Sequence, residues 1–327
     1  MSLSILKTSL WRQIQKENFT SLSELAEFLE LSEENKAKLH ERPRFALNLP
    51  RRLASKMAKN DLTDPLFRQF VPLLEETHIS PDFIADPVCD ASFRKEKKLL
   101  HKYHGRALWL VTSACAMHCR YCFRQNFPYE SSATDYSAEL TYLKEHTEIK
   151  EIILSGGDPL SLSDAALGQL LHSFDSIPHL QRIRFHTRFP IGIPERIDNS
   201  FLELLSGIKK QVYIIIHCNH PKELDSDVVA ALRKLSELGI PVLNQSVLLK
   251  GVNDEEETFL TLCESLVDAG VIPYYLHQLD LVAGATHFSV PEERGHELIA
   301  HVQKHLSGYG VPRFVQEIPG VPSKTFL

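Results

Sequence analysis

Residues 111–127 read VTSACAMHCRYCFRQNF, and Cys115, Cys119 and Cys122 stand in it with the spacing C-x3-C-x2-C. Three thiolates from one short loop can hold three irons of a [4Fe–4S] cube and leave the fourth iron without a protein ligand. Such an iron is free to bind a small molecule and pass it an electron. The competing chemistry is a structural zinc site with His104 or His118 as fourth ligand. Zinc sites usually show two ligand pairs separated by a spacer, and Cys89, Cys218 and Cys263 are isolated in the sequence. A disulfide framework belongs to secreted chains, and nothing here reads as one.

Outward from this loop, strand and helix patterns alternate. ALWLVT leads into the cysteines, followed by KEIILS, RIRFHT, QVYIIIH, PVLNQSVLL and IPYYLHQL. Helical patterns separate and follow them: SAELTYLKEH, SDAALGQLLHSF, NSFLELLSGI, SDVVAALRKLSELG, EEETFLTLCESLVDAG and EERGHELIAHVQKHL. Six βα units in series predict a parallel sheet flanked by helices, its apolar strands suited to burial on both faces. Right-handed crossovers would curl it toward an open partial barrel, although a doubly wound sheet gives the same pattern. Residues 1–100 read as a helical N-terminal region and connector, with Ser21 and Ser32 as N-caps and DPLFRQFVPLL as a short helix. The basic run from Arg94 to Lys98 reads as a solvated face. Residues 101–327 form the main unit.

The cysteine loop, the apolar run before it and Tyr121 just before the last cysteine resemble the radical S-adenosylmethionine (SAM) enzymes. The resemblance favours an α/β fold of partial (β/α)6 barrel type. Chemistry in such folds gathers at the carboxyl ends of the strands. The cysteine loop, Ser155-Gly156-Gly157-Asp158, HTR at 186–188, HCNHP at 217–221, NQSVLLKGVND at 244–254, and Gln278 with Asp280 all fall there. The two glycines let a backbone approach a ligand closely. The resemblance implies that this loop grips the amino group of SAM, with Asp158 as an acceptor. Asn244, Gln245 and Ser246 form an unusually polar strand, and buried amides call for partners that a bound cofactor would supply.

LSGGDPL, HCNHP, the polar strand, PYYLHQLDL and the closing SKT together resemble the lysine 2,3-aminomutase family, over roughly Arg106 to Thr325, about two-thirds of the chain. The likeness is strongest to short members that make β-lysine for modification of translation elongation factor P. It implies a [4Fe–4S] cluster, SAM and pyridoxal 5′-phosphate (PLP), with Lys324 in IPGVPSKTF as the lysine whose amine holds PLP. Arg106 would bind the PLP phosphate and Arg124 the substrate α-carboxylate, since a guanidinium pairs with both kinds of anion. Asp280 and Glu317 would receive the side-chain ammonium of L-lysine and exclude an acidic substrate. The implied partners are a reductant such as flavodoxin or ferredoxin and a ligase acting on elongation factor P. Glutamate or arginine as substrate, or a non-catalytic iron–sulfur or zinc protein, are the competing readings.

Composition bounds the rest. The chain has 327 residues, 43% hydrophobic and 24% charged, with formal net charge −6. That balance argues against a basic nucleic-acid surface. No apolar run is long enough to cross a bilayer, and the N-terminus lacks the pattern of a signal peptide, so a cytoplasmic location is expected. Five histidines, His186, His217, His220, His277 and His287, carry no assigned role at this stage. Longer lysine aminomutases continue into a cysteine-bearing tail used in subunit contact, so their oligomeric state is not carried over.

Overall fold

The computed structural model describes residues 8–129 and 135–327; most of the N-terminal stretch MSLSILKTS falls outside them. Ten strands form one sheet among the described residues: β1 (Arg94–Glu96), β2 (Leu99–Tyr103), β3 (Arg106–Thr112), β4 (Glu151–Gly156), β5 (Arg182–Thr187), β6 (Gln211–Ile216), β7 (Val242–Val247), β8 (Ile272–His277), β9 (Arg313–Gln316) and β10 (Thr325–Phe326). Their spatial order is their chain order. The run from β3 to β9 is parallel throughout. The two ends turn back antiparallel, β1 and β2 before it and β10 after it.

That order decides between the two architectures the sequence left open. A doubly wound sheet reverses its strand order once and places helices on both faces. Here the order never reverses, so right-handed crossovers lay every connecting helix on the same side. The sheet stays open, because β1 and β10 are edges and do not pair. The six expected helices are present at Ser137–Glu145, Asp164–Asp175, Asn199–Ser206, Ser226–Glu237, Glu256–Asp268 and Glu292–His305.

The strands differ from expectation in one respect: their helix-facing side is mostly apolar, whereas the other side is not. Ala107, Trp109, Val111, Ile152, Leu154, Ile183, Phe185, Ile214 and Ile216 are all buried there. A fully buried leucine or isoleucine contributes roughly 1.5–3 kcal/mol relative to exposure. The alternate residues Arg106, Glu151, Ser155, Arg182, Arg184 and His186 face a cavity instead.

The N-terminal helices are capped at Ser21 and Ser32 as read, and Asp64 caps another. Ser21 accepts from the Glu24 amide, Ser32 from Asn35, and Asp64 from Leu66 and Phe67. Their apolar residues, among them Trp11, Leu25, Leu53 and Phe67, join the same continuous core as the barrel helices. Trp11 meets Phe189 edge-on, ring centroids 5.4 Å apart. The stretch before residue 101 ends in the β1–β2 hairpin rather than an irregular connector. Its Lys98 is only 7% exposed, so that part of the basic run is not a solvated face.

Candidate active site

A cavity of about 980 Å³ opens on the side of the sheet away from the helices, lined by residues of β2 to β5, β7 and β8, by His217 and Asn219 just after β6, and by the C-terminal segment. Cys115, Cys119, Cys122, Arg106, Arg124, Gln245, Asp280, Glu317 and Lys324 all line it. The topology therefore gathers residues more than two hundred positions apart into one space.

The cysteine loop is held from outside the barrel. Asn48 Nδ2 donates to the Cys115 carbonyl at 3.1 Å and Asn18 Nδ2 to that of Ala116 at 2.7 Å. The Arg120 amide donates to the Gln69 carbonyl, while the Arg120 guanidinium pairs with both oxygens of Glu76 and donates to the Phe45 carbonyl. Burial pushes the Cys122 thiol up to about 11 and that of Cys115 upward as well. Such thiols give up their protons to a metal rather than to water. Among the described residues no three Cys, His, Asp or Glu side chains gather as ligands of one ion. In a cube each thiolate takes a different iron, and three cysteines on one short loop are a donor set that fits it.

The SGGD loop is built differently from expectation. A Cβ on Gly157 would lie 2.3 Å from the Ala114 carbonyl oxygen, and one on Gly156 would lie 2.5 Å from that of Thr112. The glycines thus let this loop press against the cysteine loop. Gly157 and Asp158 donate their amides to Thr112 and Ala114 at 2.7 and 2.8 Å. The Asp158 carboxylate accepts from Thr187 Oγ1 and from the amides of Leu160, Arg188 and Phe189. Its lone pairs are spent inside the fold, so it has none for a cofactor ammonium. Ser155 faces the cavity and accepts from Arg124 Nη1 at 3.1 Å.

The polar strand also divides. Asn244 and Ser246 point away from the cavity and clasp the Cys218 backbone after β6, each bond 2.8–3.0 Å. They lock two strands together, and of the three only Gln245 lines the cavity. Strand alternation allows only one of the two faces to meet a ligand. Gln245 Nε2 is buried with no partner, and so are Nε2 of His186 and of His217. Three buried nitrogens side by side on one cavity wall are thus open to a polar ligand or to water.

Arg124 is bonded through Nε to Asp90 at 2.8 Å as well as to Ser155. Arg106 lies over the Tyr103 ring at 4.4 Å. Glu317 departs from expectation, because it is already neutralised. Its Oε1 takes Lys102 Nζ at 2.5 Å and the Tyr103 hydroxyl, and its Oε2 takes Lys324 Nζ at 2.8 Å. Burial opposes its charge, but Lys324, Lys102 and Tyr103 outweigh that and hold its carboxyl down to about 2. Asp280 has no such partner, and burial pushes its carboxyl up to about 7 against the pull of Lys324.

Several cavity residues carried no readable signal of their role. Burial and the nearby cations Arg188, Arg124 and Lys324 push His217 down to about 3, and burial with Lys324 pushes His277 down too, so both are neutral imidazoles. Lys102, Asp90 and Arg188 look like ordinary charges in the sequence. The inward positions of β5 and β8, occupied by Arg182, Arg184, His186, Tyr275 and His277, were the available clue.

Comparison with known proteins agrees with this arrangement. The radical SAM superfamily profile matches residues 109–263. An L-lysine 2,3-aminomutase of Escherichia coli is 43% identical over 286 residues, covering 86% of this chain and 83% of that one. One from Haemophilus influenzae is 38% identical over 319 residues, 96% of this chain and 94% of that one. A third, from Buchnera aphidicola, is 38% identical over 286 residues, 86% and 84% of the two chains.

Proposed function

The chain belongs to the lysine 2,3-aminomutase family of radical SAM enzymes, and from that premise we propose that this isomerase converts L-lysine to β-lysine in the cavity described above. The observation that supports this reading is the joint lining of one cavity by three cysteines, Lys324, Arg124 and Asp280. When bound, cluster and SAM supply one-electron chemistry that activates a substrate carbon, and PLP supplies an electron-delocalising carrier for the amino group.

Cys115, Cys119 and Cys122 hold three irons, with the loop fixed by Asn18, Asn48 and Arg120. Gln245, His186 and His217 offer their unspent nitrogens to the polar parts of SAM. The Lys324 amine holds PLP, and Arg106 takes its phosphate. Arg124, oriented by Asp90, keeps donors for the α-carboxylate of lysine. Glu317 positions Lys324. Asp280 then remains as the carboxyl for the ε-ammonium: a cation entering beside it favours ionisation of a group otherwise half-protonated near neutrality. An acidic side chain there would meet the Asp280 carboxylate and be repelled. The short family members offer the further reading that β-lysine passes to a ligase modifying elongation factor P in the cytoplasm, with a flavodoxin or ferredoxin as reductant.

The test is anaerobic reconstitution with iron and sulfide, then incubation with SAM, PLP, dithionite and L-lysine, L-glutamate or L-arginine in turn. The expected product is β-lysine from lysine alone. Preference for another amino acid would overturn the substrate assignment, and failure to load a cluster would overturn the whole reading.

A further inference from the structure

We propose that Arg188 is a positioning residue for the cluster: its guanidinium, hydrogen-bonded to the sulfur of Cys119, raises the reduction potential of the cluster that this thiolate holds. The inference rests on the cluster reading above and goes beyond it, because Arg188 is no ligand.

Arg188 Nη1 donates to Cys119 Sγ at 3.0 Å and also to the Tyr121 hydroxyl. Its Nη2 donates to Gln69 Oε1 and Glu223 Oε2, both at 2.7 Å. The Arg188 amide is anchored on Asp158 at 2.8 Å. Gln69 and Glu223 are fully buried and Arg188 is 5% exposed. Glu223 is held in turn by the amides of Asn219 and His220. The Arg188 side chain therefore has one position, set by three separate parts of the chain. Its Nε is buried with no partner, which leaves a donor of the same fork unspent.

A guanidinium keeps its charge at any pH the protein survives. Reduction adds one electron and one negative charge to the cluster, with no bond made or broken and no proton moved. A fixed cation donating a hydrogen bond to a ligand sulfur stabilises the more negative state. Hydrogen bonds to sulfur and local charge are among the levers that set iron–sulfur potentials. Glu223 moderates the effect and makes the burial of the cation tolerable. The helix Pro65–Phe70 thereby contributes, through Gln69, to an electron-transfer property of a loop fifty residues later.

The test uses the reconstituted full chain without SAM or substrate, titrated anaerobically with dithionite and mediators and followed by electron paramagnetic resonance. Arg188→Gln is combined with Glu223→Gln, so that no buried carboxylate is left unpaired. At a fixed potential its ratio of reduced to oxidised cluster should fall about tenfold, equivalent to ~59 mV for a one-electron couple. Arg188→Lys keeps the cation and should show a smaller fall. An unmoved midpoint in both variants, with cluster content equal to wild type, overturns the inference alone. Variants that keep their fold by circular dichroism but lose the cluster also overturn it, because Arg188 would then serve loop architecture. A wild-type chain that takes up no cluster instead removes the reading on which it rests.

Discussion

Lys324 shares the carboxylate of Glu317 with Lys102, so three charged groups occupy one corner of the cavity. Borohydride reduction of the PLP-loaded protein should place a pyridoxyl group on Lys324, as peptide mapping would show. Lys324→Ala should lose that adduct and lysine turnover while keeping its iron. It removes one charged hydrogen bond, roughly 1.5–3 kcal/mol; an adduct on another lysine would end the assignment. Asp280 gives a pH signature. Its carboxyl is raised by burial to about 7 from the ordinary 3.8, so the folded chain holds a proton that the unfolded chain releases between those values. Its contribution to stability is therefore present at low pH and lost as pH rises through that window. Asp280→Asn should flatten this fall in melting temperature and should abolish lysine turnover. A parallel pH profile in wild type and variant would show that Asp280 is not desolvated. The sequence marked Lys324 by the tight turn of IPGVPSKTF, and Asp280 only through the family resemblance. It hid the pairing of Glu317 with Lys102, because that contact joins residues 215 positions apart.

Gly157 shows how two loops become one element. A methyl group there would have to displace the Ala114 carbonyl, which is backbone and cannot swing aside. Gly157→Ala should cost about 1–3 kcal/mol by overpacking. It should also lower the iron bound per chain, because the cysteine loop moves with its neighbour. Full iron content with an unchanged melting temperature would contradict this. At this scale the sequence was largely legible: strand and helix periods placed all six βα units and the caps at Ser21 and Ser32. The misreadings share one physical cause. Polarity within a strand shows that a side chain needs a partner, but not whether that partner is ligand or backbone. Asn244 and Ser246 bond the Cys218 backbone, Gln245 faces the cavity, and only the alternation of side chains separates them. Asp158 likewise reads as a cofactor acceptor until the amides of Leu160, Arg188 and Phe189 fill it.

Among the described residues the larger of two buried cores runs from the N-terminal helices through the barrel helices, and the two tryptophans report on both of its parts. Trp11 is in the first helix and Trp109 in β3, each buried. Single-tryptophan variants, Trp11→Phe and Trp109→Phe, should unfold in denaturant with coincident fluorescence transitions; separate midpoints would reveal an independent N-terminal unit. Glu76→Gln should lower both midpoints together, with a stability loss of roughly 3–5 kcal/mol for a broken buried ion pair. The sheet, for its part, is open, and no backbone ladder joins β2 to β9. Side chains span the gap instead: Lys102 and Tyr103 reach from β2 to Glu317 just beyond β9, and Lys324 fastens the same carboxylate from just before β10. The barrel is in effect a sleeve closed by a buckle, and the prong of that buckle is the nitrogen proposed to carry the cofactor. Removing that nitrogen, as in Lys324→Ala, leaves the seam held by Lys102 and Tyr103 alone.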